Sequence, residues 1–140
     1  MTDRALLWNL LHDGDVVEIS RPTPESAWIL VEIDFLEDGA GERPGSLTID
    51  LAGCEELTFV DGVTDEVITD LAGIMAREPD VLSATEANGS IRVMCSEGEL
   101  RLRYSSATLR SEDGSLMTID DLESTSVRYW QEWERAAQGD

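Results

Sequence analysis

The fold is decided in residues 81–104, which read VLSATEANGSIRVMCSEGELRLRY. Two short runs that alternate apolar and polar residues flank Asn88-Gly89, a dipeptide typical of two-residue β-hairpin loops. A third such run, residues 100–104, follows Glu97-Gly98, which predicts a second and weaker hairpin turn. The stretch therefore predicts a meander of three antiparallel strands.

Two-residue loops at both turns predict which residues of the meander face one another. Thr85 would lie across from Arg92, Arg92 across from Arg103, and Met94 across from Arg101. The apolar residues would share the other side, toward the core: Ile91, Val93, Cys95, Leu100, Leu102 and Tyr104. Two directly opposed arginines destabilise a strand pair unless a negative group lies between them. Arg92, Arg101 and Arg103 are therefore a candidate binding site for an anion or a carboxylate. The alternative is that carboxylates of this acidic chain neutralise them.

Residue patterns also predict secondary structure in the rest of the chain. Alternating apolar residues predict four further strands, at 15–21, 26–36, 46–52 and 57–60. Apolar residues at helical spacing predict helices at 3–12, 65–76 and 121–137. Residues 37–45 are rich in glycine and predict a flexible loop.

These elements predict a single domain, residues 1–140, of the α+β class. Its centre would be a mainly antiparallel, curved sheet of about seven or eight strands, with short amphipathic helices at the beginning, middle and end of the chain. A closing helix after a run of strands resembles the layout of pleckstrin-homology-like barrels. That resemblance covers the C-terminal half and makes a PH-like barrel the alternative architecture. The predicted helices at 3–12 and 65–76 depart from it.

The charge of the chain excludes several classes of partner. Thirty acidic residues against ten basic ones give a formal net charge of −20, and every basic residue is arginine. Such a surface repels phosphate backbones and anionic lipid, so we expect neither nucleic-acid nor membrane-surface binding. The composition is typical of proteins from GC-rich bacteria and from salt-adapted organisms. The N-terminus shows no secretory signal, which makes the cytoplasm the expected compartment.

Catalytic motifs are missing from the sequence. It contains no nucleophile elbow, phosphate-binding loop, zinc-protease motif or EF-hand loop, so we predict a protein that is not an enzyme and needs no cofactor. His12 is the only histidine, and we expect a structural role for it in the last turn of the first helix. Cys54 and Cys95 do not form a C-x-x-C motif and are expected to be reduced and buried, although a single disulfide between them stays open.

Three acidic residues form a weak candidate metal or acid–base site. If strands 26–36 and 46–52 pair across the loop, Glu32 would lie near Asp50 and Asp34 near Thr48. Clustered carboxylates can bind a divalent cation or transfer protons. The alternative interpretation is an ordinary solvated strand face.

The predicted C-terminal helix carries an aromatic cluster. Tyr129, Trp130 and Trp133 share one face with Leu122. Such a face is expected to pack across the sheet as core, or to form a homodimer contact or the wall of a pocket. Trp130 and Trp133 are accordingly the second set of candidate binding residues.

Three functional hypotheses follow from these patterns. The first is a small acidic binding protein that neutralises a basic protein partner, as immunity proteins and other inhibitors do. The alternative is a binding or catalytic pocket for a small anionic ligand, between the sheet and the C-terminal helix. A third is that the negative charge has no partner and only maintains solubility in salt.

Overall fold

The computed structural model describes residues 3–36 and 45–138, except the side chains of Asp3, Trp133 and residues 136–138. Most of the loop predicted at 37–45 therefore lies outside the described residues. Within them the chain forms two five-stranded antiparallel sheets and three α-helices, which confirms the α+β class. The prediction of a single sheet was wrong. Neither sheet closes into a barrel in the described residues, so the alternative architecture is not seen there.

The elements follow one another in a simple order. The helices are α1 (Asp3–Leu10), α2 (Leu71–Met75) and α3 (Ile119–Gln138), and a 3-10 turn covers Asp34–Leu36. The first sheet has the strand order β1 (Asp15–Thr23), β2 (Ser26–Ile33), β3 (Gly45–Ala52), β9 (Ser106–Ser111) and β10 (Leu116–Met117). The second sheet has the order β5 (Val67–Ile68), β4 (Glu56–Asp61), β8 (Gly98–Arg103), β7 (Ser90–Met94) and β6 (Ser83–Ala87). None of the helices in this described part is long and apolar enough to cross a membrane.

The two sheets meet at a corner through which two paired segments pass. β3 pairs with β9 in the first sheet, and their continuations β4 and β8 pair in the second. Backbone hydrogen bonds continue around the bend, from Ser105 N to Ala52 O and from Glu55 N to Arg103 O. Gly53 has φ of +64° at this bend, and a Cβ on it would overlap the Ser105 side chain. The corner therefore depends on a residue without a side chain.

One apolar cluster joins both sheets and all three α-helices. The alternating apolar residues of β2 and β3 are buried in it: Ala27, Ile29, Val31, Ile33, Leu47, Ile49 and Leu51. The predicted inward side of the meander, Ile91 to Tyr104, is buried as well. Trp8 of α1 is fully buried, and its Nε1 donates a hydrogen bond of 3.1 Å to the Tyr104 hydroxyl. The period-two pattern thus identified the faces correctly.

The second turn of the meander differs from its prediction by one position. The loop is Ser96-Glu97, because Cys95 and Gly98 exchange backbone hydrogen bonds. Gly98 is the first residue of β8, and a Cβ on it would overlap the carbonyl oxygen of Val60 on β4. The glycine therefore serves the close approach of two strands rather than the turn.

The middle helix was predicted too long. Residues 67–68 form the short strand β5, in which Ile68 lies opposite Phe59 of β4. The helix begins only after Asp70, whose carboxylate accepts a hydrogen bond of 2.7 Å from Gly73 N, and it ends at Met75. Pairing with the edge of a sheet thus overrides the helical spacing of the apolar residues in this segment.

The other differences lie at the ends of strands. β1 continues through Pro22 to Thr23, which is tolerated because an edge strand leaves one row of N–H groups without a ladder partner. β2 ends at Ile33, and the predicted continuation to residue 36 is the 3-10 turn. β9 and β10 were not predicted as separate strands.

The C-terminal helix begins at Ile119, two residues earlier than predicted, and packs elsewhere. Thr118 Oγ1 accepts a hydrogen bond from Asp121 N, and Asp121 Oδ2 accepts one from Thr118 N, both of 3.0 Å. This reciprocal capping box starts α3. Leu122 is buried in the core, but the main contacts of α3 are with α1 and the 3-10 turn rather than across a sheet.

Candidate functional site

The candidate anion site contains one carboxylate that the chain itself supplies. Arg92 on β7 faces Arg101 on β8, not Arg103 as predicted. Glu99 Oε1 lies 3.1 Å from Arg101 Nε and 3.7 Å from Arg92 Nε. The two opposed arginines therefore share one glutamate from the same sheet, as the alternative of internal neutralisation requires.

Arg103 does not join this group. Its Nη2 donates a hydrogen bond of 3.0 Å to Asn88 O, and its guanidinium lies beside Gly89 at the first turn of the meander. Across β4 and β8, Arg103 is opposite Glu56. The three candidate arginines thus lie on one sheet face without converging on a common ligand position.

The three candidate metal-binding carboxylates are also separated. Glu32 lies opposite Ser46 rather than near Asp50, so the predicted register of β2 and β3 was wrong. Asp50 accepts a hydrogen bond of 3.0 Å from Arg110 Nε on β9, and Asp34 belongs to the 3-10 turn. Residues 3–36 and 45–138 contain no group of three or more His, Cys, Asp or Glu side chains that could hold a metal ion.

The two thiols are free and buried, as predicted. Burial raises the pKa of Cys95 to about 11. Burial also raises the pKa of Cys54, although the nearby Arg21 guanidinium acts in the opposite direction. A thiol with a raised pKa is a poor nucleophile at neutral pH, because the thiolate is the reactive form.

His12 lies in the turn after α1 rather than in the last turn of the helix as predicted, and it contacts an aromatic residue of α3. The ring of His12 stacks on Trp130 at a centroid distance of 6.0 Å and an interplanar angle of 14°, and Tyr129 meets Trp130 edge to face. Trp130 keeps 40% of its surface exposed, so it is not core. The side chain of Trp133 lies outside the described residues, and the homodimer contact remains a prediction.

A groove between the start of β1 and the end of α2 concentrates negative charge. It encloses about 490 Å³, and we call it the acidic groove; its lining residues are Asp15, Val16, Val17, Met75, Glu78 and Pro79. A backbone hydrogen bond of 2.9 Å from Val16 N to Pro79 O holds its two sides together.

Asp15 at the acidic groove lies within the influence of other carboxylates. Partial burial raises the pKa of Asp15, and the negative charges of Asp80, Asp34 and Glu78 raise that pKa further. Asp80 accepts hydrogen bonds from the backbone and the hydroxyl of Ser96. None of these four carboxylates forms an ion pair with another described residue, so no positive charge in that part of the chain is paired with the negative charge around Asp15.

Sequence reasoning missed this groove because its two sides are far apart in the chain. The only available signal was the clustering of acids at each end of the groove, Asp13 and Asp15 on one side and Glu78 and Asp80 on the other. No family model matches the chain, and neither a curated protein nor a solved structure matches it.

Proposed function

We propose that this protein is a non-enzymatic binding protein whose negative surface captures and neutralises a basic protein partner, with the acidic groove as part of the contact. The proposal is supported by the net charge of −20 and by where the positive charges lie. Among the arginines of residues 3–36 and 45–138, five form ion pairs with described carboxylates: Arg4, Arg77, Arg92, Arg101 and Arg110. The carboxylates of the acidic groove have no such partner in the described residues.

The acidic groove, which brings Asp15 together with Glu78 and Asp80 without an ion pair to any described arginine, is the observation that carries the proposal. A cationic side chain placed there would lower the energy of several carboxylates at once, while surface charge elsewhere would speed the encounter. The groove also offers apolar surface from Met75, Pro79 and the half-exposed Val17. An arginine or lysine stem could lie along this surface with its charged head among the carboxylates.

The test is binding of a fluorescent arginine-rich peptide, followed by anisotropy at low salt and at physiological salt. The double variant D15N/E78Q removes two charges at the acidic groove. The control E123Q/E132Q removes two charges from the exposed surface of α3. We expect the groove variant to bind about 3- to 10-fold more weakly and the control to change binding less.

Two results would contradict the proposal. Absence of saturable binding by the unaltered protein at low salt would remove the cation-binding function altogether. Equal weakening in both double variants would show that only total charge matters and that the acidic groove has no part in the contact.

A further inference from the structure

A small cleft opens where α1, the corner between β8 and β9, and the first residue of α3 meet. It encloses about 170 Å³. Its lining residues are Arg4, Leu7, Tyr104, Ser106, Ala107 and Ile119. None of the carboxylates that define the acidic groove lines it, so a ligand here would be independent of the proposed basic partner.

The walls of the cleft are suited to an apolar, ring-sized body. Leu7 and Tyr104 are buried, and Ala107 and Ile119 are half-buried and pack against the same core. An engineered apolar cavity of about 150 Å³ accepts benzene, so this volume has room for one such ring. The cleft is too small for the drug-sized ligands that fill pockets of about 300–1,000 Å³.

Arg4 supplies a fixed positive charge at the edge of the cleft. Its Nη2 donates a hydrogen bond of 2.9 Å to Ser105 O, and its Cζ lies 5.7 Å from the centroid of the Tyr104 ring. These two contacts orient the guanidinium before any ligand arrives. In the described part of the chain they leave most of its five N–H groups without an acceptor.

Glu86 is the only described carboxylate paired with Arg4, and this pair is weak. The distance from Arg4 Nη1 to Glu86 Oε2 is 3.6 Å, and 40% of the Arg4 side chain is exposed. Exposed ion pairs of this kind contribute little to stability. A ligand carboxylate that meets the free N–H groups of Arg4 in a forked geometry can therefore compete with Glu86.

We propose that this cleft binds a small monocarboxylate with a planar apolar body, the class represented by benzoate. The ring would lie between Tyr104, Leu7 and Ile119, and the carboxylate would meet the guanidinium of Arg4. The site combines apolar walls with one oriented charged group, which is the usual composition of a small-ligand pocket.

The test is an NMR titration of the full chain with benzoate, and with benzyl alcohol as the uncharged ligand of similar shape. We expect saturable shifts of the Ala107 and Ile119 amide signals with benzoate, and binding of benzyl alcohol that is weaker. R4Q should weaken benzoate binding about 10-fold, since a hydrogen bond to a charged group is lost. The control R110Q removes the same charge from β9, outside the cleft, and should leave binding nearly unchanged.

A second variant tests the cleft without altering charge. A107L places a larger side chain in the cleft and should abolish benzoate binding while an unchanged amide spectrum elsewhere shows that the fold persists. The proposal is overturned if benzoate causes no saturable shift at the cleft. It is also overturned if R4Q and R110Q bind benzoate equally, or if A107L binds it as well as the unaltered protein.

Discussion

Asn9 shows how one side chain can close the edge of a sheet. β6 is the last strand of the second sheet, and the Asn9 amide lies beside its Ala84. Asn9 Oδ1 accepts a hydrogen bond of 2.9 Å from Ala84 N, and Asn9 Nδ2 donates one of 2.8 Å to Ala84 O. The side chain thus replaces a neighbouring strand at a buried position, where an open edge would invite pairing with another chain.

We expect N9A to lower the free energy of unfolding by about 1–3 kcal/mol, because the buried N–H and C=O of Ala84 lose their partners. Urea denaturation measures this loss, and hydrogen exchange should show faster exchange of the Ala84 amide. S124A on the exposed surface of α3 is the control and should change stability by less than about 0.5 kcal/mol. Unchanged exchange at Ala84 in N9A would show that the edge is protected in another way.

Asp61 makes the stability of this region depend on pH. Its buried carboxylate accepts hydrogen bonds from the backbone N–H groups of Thr64 and Val63, and it pairs with Arg77. These backbone hydrogen bonds, and then Arg77, lower the pKa of Asp61 below its ordinary value of 3.8. A carboxylate with a lowered pKa stabilises the fold above its unfolded-state pKa, and this contribution is lost as the pH falls through the folded-state value.

We therefore expect D61N to be less stable than the unaltered protein at neutral pH, because the substitution removes the charge that these donors stabilise. The difference between the two proteins should shrink as the pH falls below 3.8. Denaturation at a series of pH values measures it. A difference that stays constant down to strongly acid pH would mean that the loss comes from packing rather than from charge.

The sequence predicted few of these residue-scale contacts, and the reason is distance along the chain. Asn9 meets Ala84, and Arg4 meets Ser105, only after the two sheets and α1 have assembled. Composition and spacing carry no signal for such pairs. The sequence predicted that two arginines of the meander would face each other. It did not predict that Glu99 would pair with them, because that contact depends on the register that the structure shows.

At the scale of elements, local patterns predicted faces better than they predicted register. The turn at Asn88-Gly89 formed as expected, with φ of 53° and 80° at the two residues. The next turn slipped by one position because Gly98 is required against β4, a contact that no local pattern reveals. Moving the turn by one position shifts the pairing of the two strands by two residues. Each arginine therefore lies opposite a different partner, but every side chain stays on its predicted face.

The corner between the sheets gives a test at the same scale. We expect G53A to lower stability by about 2–4 kcal/mol, from the left-handed backbone and from overlap with Ser105. G114A is a matched control, because Gly114 has φ of +89° with nothing near the position of a Cβ. It should cost about 1–2 kcal/mol, the backbone part alone.

A double-mutant cycle separates the two causes at the corner. S105G removes the side chain that a Cβ on residue 53 would overlap, so G53A/S105G should be more stable than the sum of the single changes predicts. Strict additivity in urea denaturation would show that Ser105 does not limit the corner.

At the scale of the whole molecule, the sequence predicted the class and not the assembly. The ten strands of the described residues could form one sheet or two, and the choice is made at residues 53–55 and 104–105, where both paired segments bend. The sequence gives the net charge of the molecule in full, but it does not show which charged side chains lie near one another in the fold. The crowding of Asp15 with Asp34, Glu78 and Asp80 appears only in the folded chain.

This crowding predicts opposite responses to salt for folding and for binding. Repulsion among the carboxylates opposes the compact state. The Debye length, over which such repulsion acts, is about 30 Å at 0.01 M salt and falls to about 8 Å at 0.15 M salt. We expect the melting temperature of the free protein to rise over this range and the affinity for an arginine-rich peptide to fall. D15N should raise the melting temperature at low salt, by no more than about 1–3 °C.

The two responses separate the binding function from a charge that serves solubility alone. A protein whose acidity serves only solubility would show the rise in melting temperature without saturable, salt-sensitive peptide binding. Thermal denaturation and anisotropy on the same samples measure both quantities. A melting temperature that does not change with salt would mean that the carboxylates are already balanced in the folded state, which would remove the physical basis for expecting a cationic partner at the acidic groove.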